Sequence, residues 1–260
     1  MKNKGFALLN LLGLVLVIAV NALANILPIN GYNTGEISAF YPNYFVPAGF
    51  TFGIWGIIYL LLIGFVFCSL FAAFGRFDDQ AKEAIIAISP LFQITCLLNA
   101  GWIVVWHHLL LPASLLVMFV FLVVLVGIYI KLKPFKMTIP GFHRIWIHHA
   151  FLVYLGWISV ATIANTTALL VGYGWTGGFI PPHFWSIIMI VVAVLLGIFM
   201  VGVKKEPAFG WVLSWALFGV YAGQKGANQA VGNAAATGLC LILALSITIV
   251  ISFRRTKAAE

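Results

Sequence analysis

Polar residues in this chain are confined to short gaps between long apolar runs. Eight such runs can be read, at about 6–27, 47–74, 84–106, 112–131, 144–170, 183–203, 208–224 and 230–252. A bilayer core about 30 Å thick takes about 20 helical residues, and most of these runs fall near that length. The pattern predicts an all-α fold, a polytopic membrane helix bundle of eight transmembrane helices. The second run is long, and its Pro47–Ala48–Gly49 step predicts a break near the start. Pro112 predicts a tight turn between the third and fourth helices. The seventh run is the shortest and is rich in Gly towards its end.

Within three runs the few polar and aromatic positions recur at helical spacing. Trp55 and Tyr59 are i, i+4 in the second, and Asn99, Trp102 and Trp106 are i, i+3, i+7 in the third. Tyr154, Trp157, Ala161 and Asn165 follow i, i+3, i+7, i+11 in the fifth. Uncharged rings and amides on one stripe of a membrane helix look inward, towards other helices or a ligand. Two explanations fit: an aromatic belt with helix-packing amides, or a cavity for a flat, largely apolar ligand. Belts lie at the interfaces, whereas Trp157 is near the middle of its run and Trp102 sits about a turn below its outer end, which favours the cavity. Two small-xxx-small pairs, Gly49/Gly53 and Gly219/Gly223, predict close internal helix packing.

Composition agrees with lipid as the solvent. The chain is 63% hydrophobic and 8% charged, with a mean hydropathy of +1.10. A soluble domain carries about a quarter charged residues. The net charge of +8 does not mark a nucleic-acid binder, because the cations sit in short clusters between apolar runs. With a cytoplasmic N-terminus, the inner segments hold thirteen Lys and Arg residues, and the outer segments hold Lys225 alone. That bias predicts a multi-pass protein of the cell membrane with both termini cytoplasmic. Lys2, Lys4 and the Ala22–Leu23–Ala24 step also resemble a cleavable signal peptide, while a retained first span fits the charge pattern equally well.

Candidate chemistry is sparse. All six acids lie in loops or at run ends, which argues against a proton-coupled transporter or a light-driven pump. Cys68, Cys96 and Cys240 have no metal-ligand spacing. His107–His108 and the group His143, His148 and His149 fall on opposite sides by the charge pattern, so they share no metal. No catalytic residue, nucleophile–base pair or metal set emerges, and the balance leans away from an enzyme.

The same residues resemble the tryptophan-rich sensory protein / translocator protein (TspO/MBR) family. Three blocks carry the resemblance: Pro47–Ala48–Gly49 through Trp55 to Tyr59, Leu97–Leu98–Asn99 to Trp102, and Tyr154 through Trp157 and Ala161 to Asn165. They occur in the family's order and in its second, third and fifth helices. The resemblance implies a TspO-like five-helix bundle over 1–172, followed over 173–260 by three additional helices and a short basic tail. It implies a pocket lined by Trp55, Asn99, Trp102, Trp157, Ala161 and Asn165, beside Tyr59, Trp106 and Tyr154 of the same stripes. A lid over about 28–46 is implied, with porphyrin or haem as ligand rather than as a resident cofactor. The family's homodimer is implied too, although the three extra helices would cover the face that family dimers use. Val153 stands where the family has Pro, and Ala48 replaces a second Pro. The expected function is to bind, and to move or sense, a porphyrin-like or other flat apolar molecule. The alternatives are a small-solute permease lined by Gln224, Asn228, Gln229 and Asn233, oxidative porphyrin breakdown, and a structural membrane partner.

Overall fold

The computed structural model describes residues 2–27 and 29–259, with side chains for all of these except 2, 254 and 256–259. Met1, Pro28 and Glu260 lie outside the described residues, and with them the first residue of the expected lid. No β-strand occurs among the described residues. The protein is an all-α, multi-pass membrane helix bundle. Helix α1 is Lys2–Ile26, and the short α2 is Thr34–Ala39. A 3-10 turn at Gly49–Gly53 leads into α3, Ile54–Phe74, so the second span does break near its start. Helices α4 (Asp79–His107) and α5 (Leu111–Leu132) flank a tight turn in which Leu109 is left-handed and Pro112 opens the new helix. The fifth span begins as α6 (Gly141–Arg144), passes through a π turn at Ile145–His149 and continues as α7 (Ala150–Gly172). Helix α8 (Pro182–Ile198) also ends in a π turn, and α9 (Pro207–Gln224) and α10 (Gln229–Ala259) complete the chain.

Seven of these segments are long and apolar enough to cross a membrane. The remaining one of the eight expected spans is α9. Helix α9 forms as expected, with 18 residues, but is not apolar enough to qualify alone. Its Gly210, Ser214, Gly219 and Gln224 dilute its hydropathy. The same helix buries Phe209, Val212, Leu213, Ala216, Leu217 and Val220 against protein, so it meets little lipid. At 1.5 Å per residue it reaches about 27 Å, close to a bilayer core.

The chain divides into two compact units. The first comprises Met1–Ile37 and Gly53–Ile158. Here α1 packs on α3 and α4, and α4 packs on α5. Phe65 lies at the centre, edge-on to Phe92 at 4.9 Å and to Phe151 at 5.0 Å. Gly13 of α1 lets that helix approach Cys96 of α4, whose Sγ would stand 3.1 Å from a Cβ. Asn10 of α1 donates to Ser69 Oγ at 3.0 Å and to Ser89 Oγ at 2.9 Å, and accepts from Gln93 Nε2 at 3.1 Å. Three of the four hydrogen bonds its amide can make are thereby formed inside the bundle, and helices α1, α3 and α4 are tied in register.

The second unit comprises Ser38–Phe52 and Ser159–Glu260. Helices α8, α9 and α10 pack on one another. Glycines stand at their close approaches: Gly197 faces Ile242 and Leu213, and Gly238 faces Val194 and Leu217. The segment before α3 docks on α9. Ala48 N–H donates to Gly219 O at 2.9 Å, and Trp215 Nε1 donates to Thr51 O at 2.9 Å. The Phe50 ring meets Trp215 and Phe218, each at 5.6 Å. A Cβ on Gly219 would collide with Thr51, and one on Gly223 would press on the backbone of Val46 and Ala48. Gly219/Gly223 therefore acts in internal packing, as expected. Gly49/Gly53 does not, since nothing lies within 4 Å of a Cβ on either.

Candidate functional site

The first unit gathers rings and amides from five helices. Trp55 and Tyr59 stack along α3 at 5.6 Å, with their planes 22° apart. Trp55 also meets two rings of α7 edge-on: Tyr154 at 6.0 Å and Trp157 at 6.2 Å. Phe121 of α5 closes on the far side of Tyr154, edge-on at 5.2 Å. Edge-to-face geometry matches the negative face of one ring to the positive edge of the next. Tyr154 and Trp157 are buried, while Trp55 and Tyr59 are partly exposed.

A chain of amides runs beside these rings. Asn21 Nδ2 of α1 donates to Val17 O at 2.9 Å and to Asn99 Oδ1 at 2.7 Å. Asn99 Nδ2 in turn donates to Tyr154 Oη at 2.8 Å. Tyr154 accepts that bond and keeps its own proton to donate. Tyr59 Oη is buried and lacks a well-formed hydrogen bond among the described residues, with Asn99 as a polar neighbour. No charged side chain contributes to these contacts. The cluster offers flat apolar faces, hydroxyl groups at their edge and no ion to neutralise. That is a match for a flat ligand with a polar rim.

Trp102 and Trp106 form a separate stacked pair nearer the end of α4, at 5.6 Å and 17°. Trp106 Nε1 donates to Thr34 O at 3.3 Å, and Asn30 Nδ2 donates to His107 O at 3.1 Å. The first part of the expected lid is thus fastened to the end of α4. Its later part belongs to the second unit, where Asn43 orders a turn by accepting from Phe45 N–H at 2.9 Å. Ala161 and Asn165 continue the α7 stripe into the second unit, Asn165 being buried there.

Two partners in the cluster did not enter the sequence expectation. Asn21 carried a usable signal, since an amide within an apolar run needs a partner. Phe121 carried none, being one aromatic ring among twenty-two phenylalanines. The residues expected to line a permease path do not share one surrounding. Gln224 is buried with Oε1 unpartnered among the described residues. Asn228 Oδ1 caps α10 by accepting from Val231 N–H at 3.1 Å, and Gln229 and Asn233 are exposed. Among the described residues no group of three His, Cys, Asp or Glu is placed to hold a metal ion.

The family model described as TSPO-like protein matches residues 7–250. The chain belongs to this family. The match extends well past Asn165, where the three motif blocks end, and takes in α8, α9 and nearly all of the apolar part of α10. The last three helices of this TSPO-like protein are therefore part of what the family model describes. No curated protein and no solved structure matches the chain.

Proposed function

We propose that this TSPO-like protein binds a flat, largely apolar molecule of porphyrin type at the Trp55–Tyr59–Asn99–Tyr154–Trp157 cluster. The observation that carries the proposal is the meeting of two tryptophans and two tyrosines with a buried amide relay and no charge. Trp55 and Trp157 supply stacking faces, and Tyr59 and Tyr154 supply hydroxyl groups for the ligand's polar edge. Trp102 and Trp106 belong to the proposed site by their place on the same α4 stripe as Asn99. Purified full-length protein in detergent should shift the absorbance band of protoporphyrin IX saturably, at about one equivalent per chain. A strictly linear response over the same range contradicts the proposal.

Transport is the second function proposed, and the buried Gln224 Oε1, unpartnered among the described residues, favours it. Proteoliposomes loaded with the porphyrin separate the two: release above that of protein-free vesicles marks transport, and binding without release marks a sensor or carrier.

The orientation proposed is both termini in the cytoplasm of a cell membrane, with α9 crossing despite its modest apolarity. A carboxy-terminal green fluorescent protein fusion should fluoresce, and an alkaline phosphatase fusion at the same point should be inactive. The reverse result would leave α9 on one side of the bilayer.

A further inference from the structure

One concavity in the first unit makes no use of the aromatic–amide cluster. A groove of about 530 Å³ runs along α3 beside the start of the fifth span. Leu60, Phe67 and Phe71 form one wall, and Phe142 and Trp146 form the other. The walls come together because residue 64 is glycine: a Cβ there would overlap the Trp146 indole. Trp146 itself lies in the π turn at Ile145–His149. One end of the groove is capped by Phe77 stacked on His143, at 4.3 Å and 28°, with Arg76 beside them.

Depth and charge identify the occupant. From Leu60 to Phe71, α3 rises about 16 Å. That is about half of a 30 Å hydrocarbon core, or one leaflet. The wall residues lie inside membrane spans, whereas Arg76 lies just beyond the end of its span, at headgroup level. Arg76 is exposed and has no ion-pair partner among the described residues. The Asp78 carboxylate is committed to capping α4, accepting from Ala81 N–H at 2.8 Å. Lys4 is brought to the same end, with Nζ 5.3 Å from the centre of the Phe74 ring. The segments at this end carry Lys4, Arg76, Lys82, Lys131, Lys133, Lys136 and Arg144 against Asp78, Asp79 and Glu83.

We propose that this groove is a binding site for one anionic phospholipid of the inner leaflet. An acyl chain lies between the α3 and Trp146 walls, and the headgroup phosphate sits on Arg76. A zwitterionic headgroup fits less well, because its own cation opposes the cations around the mouth.

The test uses the full chain reconstituted in phosphatidylcholine vesicles. Phosphatidylglycerol or phosphatidylcholine with brominated acyl chains is added at equal mole fraction, and tryptophan quenching is read. One basic residue near an anionic headgroup corresponds to roughly fivefold in relative affinity, so the glycerol lipid should quench with about that advantage. The advantage should vanish in Trp146→Phe, which removes the reporter, and fall to the level of phosphatidylcholine in Arg76→Gln, an exposed change that leaves the groove intact. Equal quenching by the two lipids in the wild type would overturn the proposal, as would an advantage that survives Arg76→Gln. Quenching of Trp146 by neither lipid would also overturn it.

Discussion

Asn99→Leu should destabilise the full-length protein by about 2–3 kcal/mol, measured as equilibrium unfolding by added SDS in mixed micelles. Losing a transmembrane hydrogen bond is by itself modest, about 0.6 kcal/mol on average. The larger cost comes from the groups left behind. Asn21 Nδ2 loses its 2.7 Å acceptor, and Tyr154 Oη loses its 2.8 Å donor. Each orphaned polar group in an apolar interior costs about 1–3 kcal/mol. Asn21→Leu removes one of these orphans, so the double variant Asn21→Leu/Asn99→Leu should be less destabilised than the sum of the single variants. Strict additivity would mean that the relay from α1 to α7 is not an energetic unit. A change below about 0.5 kcal/mol in Asn99→Leu would mean the same, since the orphaned groups would then have found other partners.

Gly219→Val should have a comparable effect in the second unit, about 1–3 kcal/mol, the usual cost of overfilling a packed site. The added side chain meets Thr51 at its Cβ and Cγ2 as well as at Oγ1, so turning the Thr51 side chain does not make room. The segment carrying Ala48, Phe50 and Thr51 must lift from α9. Its bonds to Gly219 O and from Trp215 Nε1 are then lost. Limited proteolysis between residues 41 and 50 should accelerate in the variant, together with a change in Trp215 fluorescence. Gly49→Ala is the control, because nothing lies within 4 Å of its added methyl, and it should cleave at the wild-type rate. Equal cleavage of all three proteins would show that the segment is not held by α9.

Much of this architecture was legible from spacing alone. Several helix ends fell within a few residues of expectation where a Pro or a Gly closes an apolar run, as at Pro112 and Gly172, whereas α10 runs on past its expected end at 252 to Ala259. The stripe spacing correctly paired Trp55 with Tyr59 and Trp102 with Trp106, because i, i+4 neighbours on one helix must lie one above the other. What spacing does not carry is the partner across the bundle. Nothing in the run around Asn99 names Asn21 on one side and Tyr154 on the other. The π turn at Ile145–His149 was equally hidden, since an extra residue in a helix leaves no compositional mark. Helix α9 escaped the hydropathy criterion for a different reason. Buried against its neighbours and the 46–52 segment, it has little need of the apolar surface that a lipid-facing helix requires. The family match through residue 250 could not be read from the motif blocks, which stop at Asn165.

The most direct measurement is a protoporphyrin titration followed by tryptophan fluorescence, with wild type and Trp157→Ala run side by side. Stacking of a flat ring on one aromatic side chain contributes on the order of 1–3 kcal/mol. The wild type should therefore quench saturably, and the variant should need at least about fivefold more ligand for half-saturation while unfolding at a similar SDS concentration. Superimposable curves for the two proteins would contradict the assignment of the ligand to the ring and amide cluster of α3, α4 and α7.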